Sequence, residues 1–185
     1  MQTAVPHFGL RLTSLAAKCL AVAALSLSAL SARADDVGDV QKLLAAGKNV
    51  EALQKADQFL SAKPRDPMMR FLRGISLSQA GRAPEAITAF TKLTEDYPEL
   101  PEPFNNLALL HVRSGRLELA RQSLEAALRN DPGHRAARAN LGEVYLMLAV
   151  QAWQQASSNA PLDTRLLRKL EAVRALLASS NPPAR

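Results

Sequence analysis

The sequence has little cysteine, glycine or aromatic residue content. It contains one cysteine, Cys19, only 8 glycines, and 4% aromatic residues. A single cysteine excludes an internal disulfide framework and a zinc site built from several cysteines. The β-branched residues form no alternating runs, so strands are not expected. With 48% apolar residues and so few rings, the composition predicts an all-α protein packed mainly by alanine and leucine.

The residue combinations of common catalytic sites are also missing. The chain has no glycine-rich phosphate loop and no cysteine pair, and no Ser/His/Asp order of a hydrolase is recognisable. Beyond residue 34 it has two histidines, His111 and His134, and neither has a metal-ligating partner at i+4. We therefore predict a protein that is not an enzyme, with no catalytic residue, cofactor or metal. The formal charge of +6 is made of mixed signs, which does not indicate nucleic-acid binding.

The first 34 residues have the pattern of a secretory signal peptide. Arg11 and Lys18 precede an apolar run over 19–30, and Ala32-Arg33-Ala34 follows it. The run is shorter than the roughly 20 apolar residues of a transmembrane helix. This predicts cleavage after Ala34 and a secreted, periplasmic protein of a bacterium, with an uncleaved membrane anchor as the alternative. The remaining chain has 20 basic and 17 acidic residues, a charge of +3, and no cysteine.

Lipid attachment to Cys19 is not predicted. A bacterial lipidation signal places its cysteine after the apolar run and behind a small residue. Here Lys18 comes before Cys19, and the apolar run comes after it. The protein is therefore expected not to insert in a membrane once the signal is removed.

Three residue types recur at a fixed interval of 34 residues. They are Gly47, Gly81 and Gly115, then Ala52, Ala86 and Ala120, then Pro64, Pro98 and Pro132. Glycine accepts the left-handed conformation that ends helices, and proline prevents a helix from continuing. Each interval is therefore expected to contain two helices, a repeat length typical of helical solenoids.

The unit 101–134 carries the clearest pattern. Its first helix has one apolar face at spacings 0, 3, 4 and 7, and its second helix has another; the residues are Phe104, Leu107, Ala108 and His111, then Ala120, Leu124, Ala127 and Leu128. The unit resembles the tetratricopeptide repeat (TPR), W-x₂-L-G-x₂-Y followed by A-x₃-F and P. The preceding unit keeps Gly74, Leu77, Ala86 and Phe90 but departs from the pattern at Arg70 and Arg73.

The resemblance implies a short right-handed superhelix of antiparallel helix pairs, a TPR solenoid with a C-terminal capping helix. The predicted segments are a signal peptide (1–34), a degenerate repeat (35–66), two good repeats (67–100 and 101–134), a degenerate repeat (135–161), a capping helix (162–178) and a flexible tail (179–185). The fourth repeat is too short for two ordinary helices, so a continuous or tightly turned helix is expected there. Gly142 falls at its small-residue position, and Gly142→Leu is expected to push the last helix pair apart.

In TPR proteins the first helix of each pair lines a concave groove that binds other proteins. The resemblance maps groove positions onto Phe71, Ile75, Ser78, Asn105, Leu109, Val112, Arg113, Ala139 and Glu143. Asn105 and Arg113 are the expected polar anchors, although a tightly curled array would pack some of these residues together. One TPR subclass holds a C-terminal carboxylate with lysine and asparagine pairs. That set is missing here, so a chaperone-tail clamp is not predicted.

The expected function is that of a scaffold or adaptor that binds a protein or peptide segment in the groove. TPR proteins of this size with a signal peptide resemble assembly factors for bacterial envelope machinery. A self-associating structural protein is the alternative, in which the groove binds a second copy of the chain.

Overall fold

The computed structural model describes residues 36–159 and 161–180, and all regular secondary structure in these ranges is helical. Eight helices follow in chain order: α1 (36–45), α2 (Asn49–Ala62), α3 (Pro67–Gln79), α4 (Ala83–Asp96), α5 (Pro101–Arg113), α6 (Leu117–Asn130), α7 (Arg135–Asn159) and α8 (Thr164–Ser180). The predicted signal peptide lies outside the described residues, as does 181–185. The predicted all-α fold is confirmed.

The helices form a solenoid in which each element packs mainly on its neighbours in sequence. From α2 to α8 every helix contacts the next one, and α5 also contacts α3 and α7. The contacts between alternate helices place α3, α5 and α7 side by side along one surface of the array. Three apolar clusters follow one another along the solenoid, centred on Met69, Phe90 and Leu124. Such an array has no single central core, because each repeat is stabilised by its neighbours.

The 34-residue glycine period corresponds to a repeated helix ending. Gly47, Gly81 and Gly115 have φ angles of 71°, 78° and 70°. After α3, the N–H of Arg82 donates to the Leu77 carbonyl at 2.9 Å and that of Gly81 to the Ser78 carbonyl at 3.2 Å. This is the Schellman arrangement, which uses carbonyls that would otherwise lack partners at a helix end. The other two glycines have equivalent bonds, so the sequence period marks the turn inside each pair.

Two arginines at apolar positions of the repeat pattern pair with acids on adjacent helices. Arg70 lies 2.7 Å from Asp96 and 5.7 Å from the centre of the Tyr97 ring, both at the end of α4. Arg73 donates to Asp57 on α2 at 2.5 Å. The departures from the repeat pattern at these positions are therefore compensated by polar contacts that join α3 to both of its neighbours.

The fourth repeat has no separate second helix. α7 continues without a break for 25 residues, and α8 follows and packs on it. Asp163 begins α8, because its carboxylate accepts the N–H of Leu166 at 2.8 Å. α8 runs to Ser180. The predicted flexible tail (179–185) was therefore wrong for residues 179 and 180, which are helical. Leu170 of α8 is buried, with 6% of its surface exposed.

The expectation for Gly142 was wrong. A Cβ atom at this glycine would meet no atom within 4 Å. In a complete repeat the second helix would pack against this position, as Phe90 packs against Gly74. Because α7 continues instead of folding back, no second helix covers this position within the described residues, and a Cβ atom there has open space. Gly142→Leu therefore should not separate any helices.

We expect Gly142→Ala to stabilise the protein by about 0.5–1 kcal/mol, since glycine in an open helix position is less favourable than alanine by that amount. Urea denaturation of the variant and the parent measures the difference. A destabilised Gly142→Ala variant would contradict the open environment of this position.

Candidate functional site

Side chains from four helices line a pocket of ≈ 400 Å³ at the C-terminal half of the solenoid. Most of the lining is apolar, and the polar groups are one guanidinium, one carboxylate and one amide. The lining residues are Ala108, Leu109, Val112 and Arg113 of α5, Leu124 of α6, Asn140, Glu143, Val144 and Met147 of α7, and Leu177 of α8. A mainly apolar concavity with a few polar groups is the usual form of a site that binds a ligand or peptide side chain.

Four of the residues mapped to the groove come together in this pocket: Leu109, Val112, Arg113 and Glu143. Leu109 is 40% exposed, although it is a large apolar side chain. Arg113 is exposed and makes no ion pair within the described residues. It also lines a second pocket of ≈ 350 Å³, which contains Ile87, Leu110 and Arg116. The α5 end of the surface therefore offers apolar contact next to the positive charges of Arg113 and Arg116.

Asn105 does not have the free position expected of a polar anchor. It is only 9% exposed, and its Oδ1 accepts a hydrogen bond from Nδ2 of Asn140 at 2.9 Å. The bond joins α5 to α7 beside the pocket that Asn140 lines. The role of Asn105 in this structure is therefore to hold two groove helices together.

The remaining mapped residues do not line this pocket. Phe71 packs on the core, with its ring centre 5.8 Å from that of Phe90 at an angle of 57°. Ile75 packs against two of the apolar clusters. Ser78 is half-buried and Ala139 is exposed. Some groove positions were expected to pack together. Phe71 and Ile75 are such positions, because their large side chains fill the space between adjacent helices.

Six lining residues were not among the predicted site residues: Ala108, Leu124, Asn140, Val144, Met147 and Leu177. Leu177 belongs to the apolar stripe of α8, which sequence periodicity assigned to capping alone. Asn140 lies one position after a mapped groove residue, and its contact with Asn105 spans 35 residues. Helical spacing identifies the face on which a residue lies, but it does not show that a later helix reaches across to an earlier one.

His111 is buried in the α5–α6 pair and occupies the tyrosine position of the repeat pattern. Burial and, secondarily, the positive charge of Arg116 lower the pKa of its imidazole below 6.5. Its Nδ1 is buried and has no hydrogen-bond partner within the described residues. Burial and the nearby positive charge make the packed ring harder to protonate than a histidine in water.

We expect acidification from pH 7.5 to 5.5 to destabilise the parent through His111. Because the folded state has the lower pKa, the unfolded chain binds more protons in this range, and stability falls as the pH falls. Thermal melting at several pH values measures the effect. His111→Gln should flatten the profile. His134→Asn is the control, at the half-buried histidine whose Nδ1 accepts the N–H of Ala137 at 3.1 Å. An unchanged profile in His111→Gln would contradict this assignment.

The part of the chain that the structure describes has no group of three or more metal-ligating side chains suited to a metal ion. Within the same residues no helix is long and apolar enough to cross a membrane.

The model of the tetratricopeptide repeat family matches residues 40–101 and 105–156, which is more than half of the chain. The chain belongs to the tetratricopeptide repeat family. The second matched segment, 105–156, contains all the lining residues that α5, α6 and α7 contribute to the pocket.

Individual proteins are similar to parts of this chain in sequence or in fold. The TPR repeat-containing protein YvcD of Bacillus subtilis (strain 168) is 38% identical over 69 residues, which are 37% of this chain and 14% of YvcD. The second TPR domain of human RPAP3, solved with the HSP70 peptide SGPTIEEVD, is 17% identical with a TM-score of 0.55, covering 60% of this chain and 92% of that domain. MamA of Desulfovibrio magneticus RS-1 is 23% identical with a TM-score of 0.55, covering 77% and 85%.

Proposed function

We propose that this TPR protein is a non-enzymatic adaptor that binds a segment of a partner protein in the pocket between α5, α7 and α8. The observation that carries the proposal is the exposed apolar side chain of Leu109 in a concavity that also contains Arg113 and Glu143. Apolar surface with nearby polar groups is typical of peptide recognition. The TPR domain of RPAP3 supports it, because that domain binds a peptide of another protein.

The pocket favours a different ligand from the HSP70 peptide SGPTIEEVD held by that relative. The mapped positions that would need lysine and asparagine pairs carry Phe71 and Ile75 on α3 and Leu109 on α5. Asn105 is the one asparagine at these positions, and its Oδ1 accepts a hydrogen bond from Nδ2 of Asn140. We propose an extended or helical segment whose apolar side chain enters the pocket and whose polar groups contact Arg113 and Glu143.

We also propose that the protein is exported and acts in the periplasm, in the assembly of envelope machinery. This part rests on the sequence pattern of residues 1–34 alone. Cell fractionation and the N-terminal sequence of the purified protein test it. A mature chain that begins at Asp35 in the periplasmic fraction supports export and cleavage, and an intact chain in the membrane fraction supports the uncleaved anchor.

Site-specific crosslinking in intact cells tests the binding site. A photoreactive residue replaces Leu109 in one variant and Leu119 in the other. The two leucines are 40% and 41% exposed, and Leu119 lies on α6 outside the pocket. We expect a partner protein to be captured only from position 109. Equal capture from both positions would refute the pocket as the binding site. Capture of the chain itself from position 109 would favour self-association.

A further inference from the structure

The positive charge of the solenoid is concentrated at its C-terminal end. Residues 36–134 contain 13 basic and 13 acidic residues, so α1 to α6 with their turns carry no net charge. Residues 135–180 contain 6 basic and 3 acidic residues. α8 alone has 4 basic residues and 1 acidic residue. A net charge of +3 therefore lies on one terminal helix of 17 residues.

The cations of α8 differ from those of the earlier repeats in their partners. Seven of the 13 basic residues in 36–134 form ion pairs, for example Arg82 with Glu85 at 2.6 Å. No ion pair within the described residues involves a basic residue of α8. Their charges are therefore not compensated by a close acidic partner in this part of the chain.

Three of these cations share one exposed face of α8. Arg165, Arg168, Lys169, Ala172 and Leu176 follow the spacing i, i+3, i+4, i+7 and i+11, and all five are exposed. Residues at this spacing lie along one side of a helix. We call these five residues the outer face. Leu176 is 54% exposed on it, a high value for leucine.

The outer face is distinct from the stripe that packs α8 on the solenoid. The inner stripe consists of Leu166, Leu170, Val173 and Leu177, which are buried or half-buried. Leu177 extends this stripe into the pocket. Because α8 is the last helix described, no further repeat covers its outer face within these residues. A partner on the outer face can therefore bind without displacing Leu177.

We propose that the outer face binds the surface of an anionic phospholipid bilayer. Anionic headgroups attract the three cations, and the exposed Leu176 can enter the boundary between headgroups and acyl chains. A lipid surface is flat and fluid, so it can contact the cations and the leucine of an exposed helix without a preformed complementary shape. An acidic protein would need a shape complementary to this helix. The association is peripheral, and it goes beyond the adaptor function because it is independent of the pocket.

Vesicle co-sedimentation of the full chain tests the proposal. One set of vesicles contains equal parts of phosphatidylglycerol and phosphatidylcholine, and the other contains phosphatidylcholine alone. We expect binding to the anionic vesicles that weakens as NaCl rises from about 50 to 500 mM, because salt screens exposed charges. Equal binding to both sets would overturn the proposal, since it would reflect apolar insertion by another segment.

Two triple variants with the same change in net charge separate the outer face from general charge. R165Q/R168Q/K169Q should weaken binding to anionic vesicles about tenfold or more, because each cation near such a surface contributes to attraction. K48Q/K63Q/R129Q removes three exposed cations from the earlier repeats and should change binding less than about twofold. R165K/R168K keeps the charge and should bind like the parent. Circular dichroism confirms that all variants are folded.

Three further results test the assignment of lipid binding to the outer face. Equal losses in the two glutamine variants would overturn the assignment to α8, since only net charge would then count. Stronger binding of the parent to DNA or polyglutamate than to anionic vesicles would assign the outer face to another polyanion. Leu176→Ser should weaken binding to the anionic vesicles, and an unchanged value would refute the role of this leucine. Crosslinking at Leu109 is expected to be unaffected by these variants.

Discussion

Gly74→Ala is expected to destabilise the protein by about 1–3 kcal/mol, although alanine is the better helix former. A Cβ atom at this position would lie 2.6 Å from Cε1 and 2.7 Å from Cζ of Phe90. The Phe90 ring is 1% exposed and belongs to the central apolar cluster, so it has little space to retreat. Urea denaturation followed by circular dichroism measures the loss.

The next repeat provides the compensating substitution. It has Ala108 where this repeat has Gly74, and Leu124 where this repeat has Phe90. G74A/F90L should therefore be less destabilised than the sum of the two single variants, with a coupling of about 1–2 kcal/mol. Additive effects would mean that the cost of alanine at position 74 does not depend on the side chain at position 90. Gly142→Ala, at the same repeat position without a neighbour, serves as the control.

Removal of α8 is expected to lower the free energy of unfolding by at least about 2 kcal/mol, the order of burying one leucine side chain. A chain that ends at Leu162 loses Leu170 and the half-buried Leu166, Val173 and Leu177. Because each unit of a solenoid contacts only its neighbours, the damage should be local. Hydrogen exchange should show lost protection in α7, with α2 to α4 unchanged.

Two leucines of α8 form a matched pair that tests whether this helix is a cap. Leu170 is 6% exposed and Leu176 is 54% exposed. Leu170→Ala should cost about 2–3 kcal/mol, as for other buried leucines, whereas Leu176→Ala should stay within about 0.5 kcal/mol. If the truncated chain and Leu170→Ala were both as stable as the parent, α8 would not be a cap.

The helical repeat could be predicted because its signals are local. Gly81 at a positive φ ends α3 whatever the remainder of the chain does, and Pro67 at the start of α3 begins the next pair. The small side chains Ala86 and Ala120 are fully buried, as their repetition indicated. Each of these features depends on residues within about one repeat, so a single sequence contains the information.

The groove was predicted less well because it depends on long-range packing. Asn105 has the helical position of a groove residue, but its amide is bound to Asn140 on another helix. Phe71 has the same repeat position one unit earlier and packs on Phe90. Periodicity assigns both residues to the same face, and only the size and partners of neighbouring side chains distinguish them.

The sequence by itself determined the repeat length, the turn positions, the small residues between paired helices and the basic composition of α8. The tertiary structure decided which surface remains open. α7 continues past the point where a second helix was due, and α8 packs on it with Leu177 in the pocket. The physical reason is that a turn or helix face follows from neighbouring residues. A pocket requires side chains from α5, α6, α7 and α8 to occupy definite positions relative to one another.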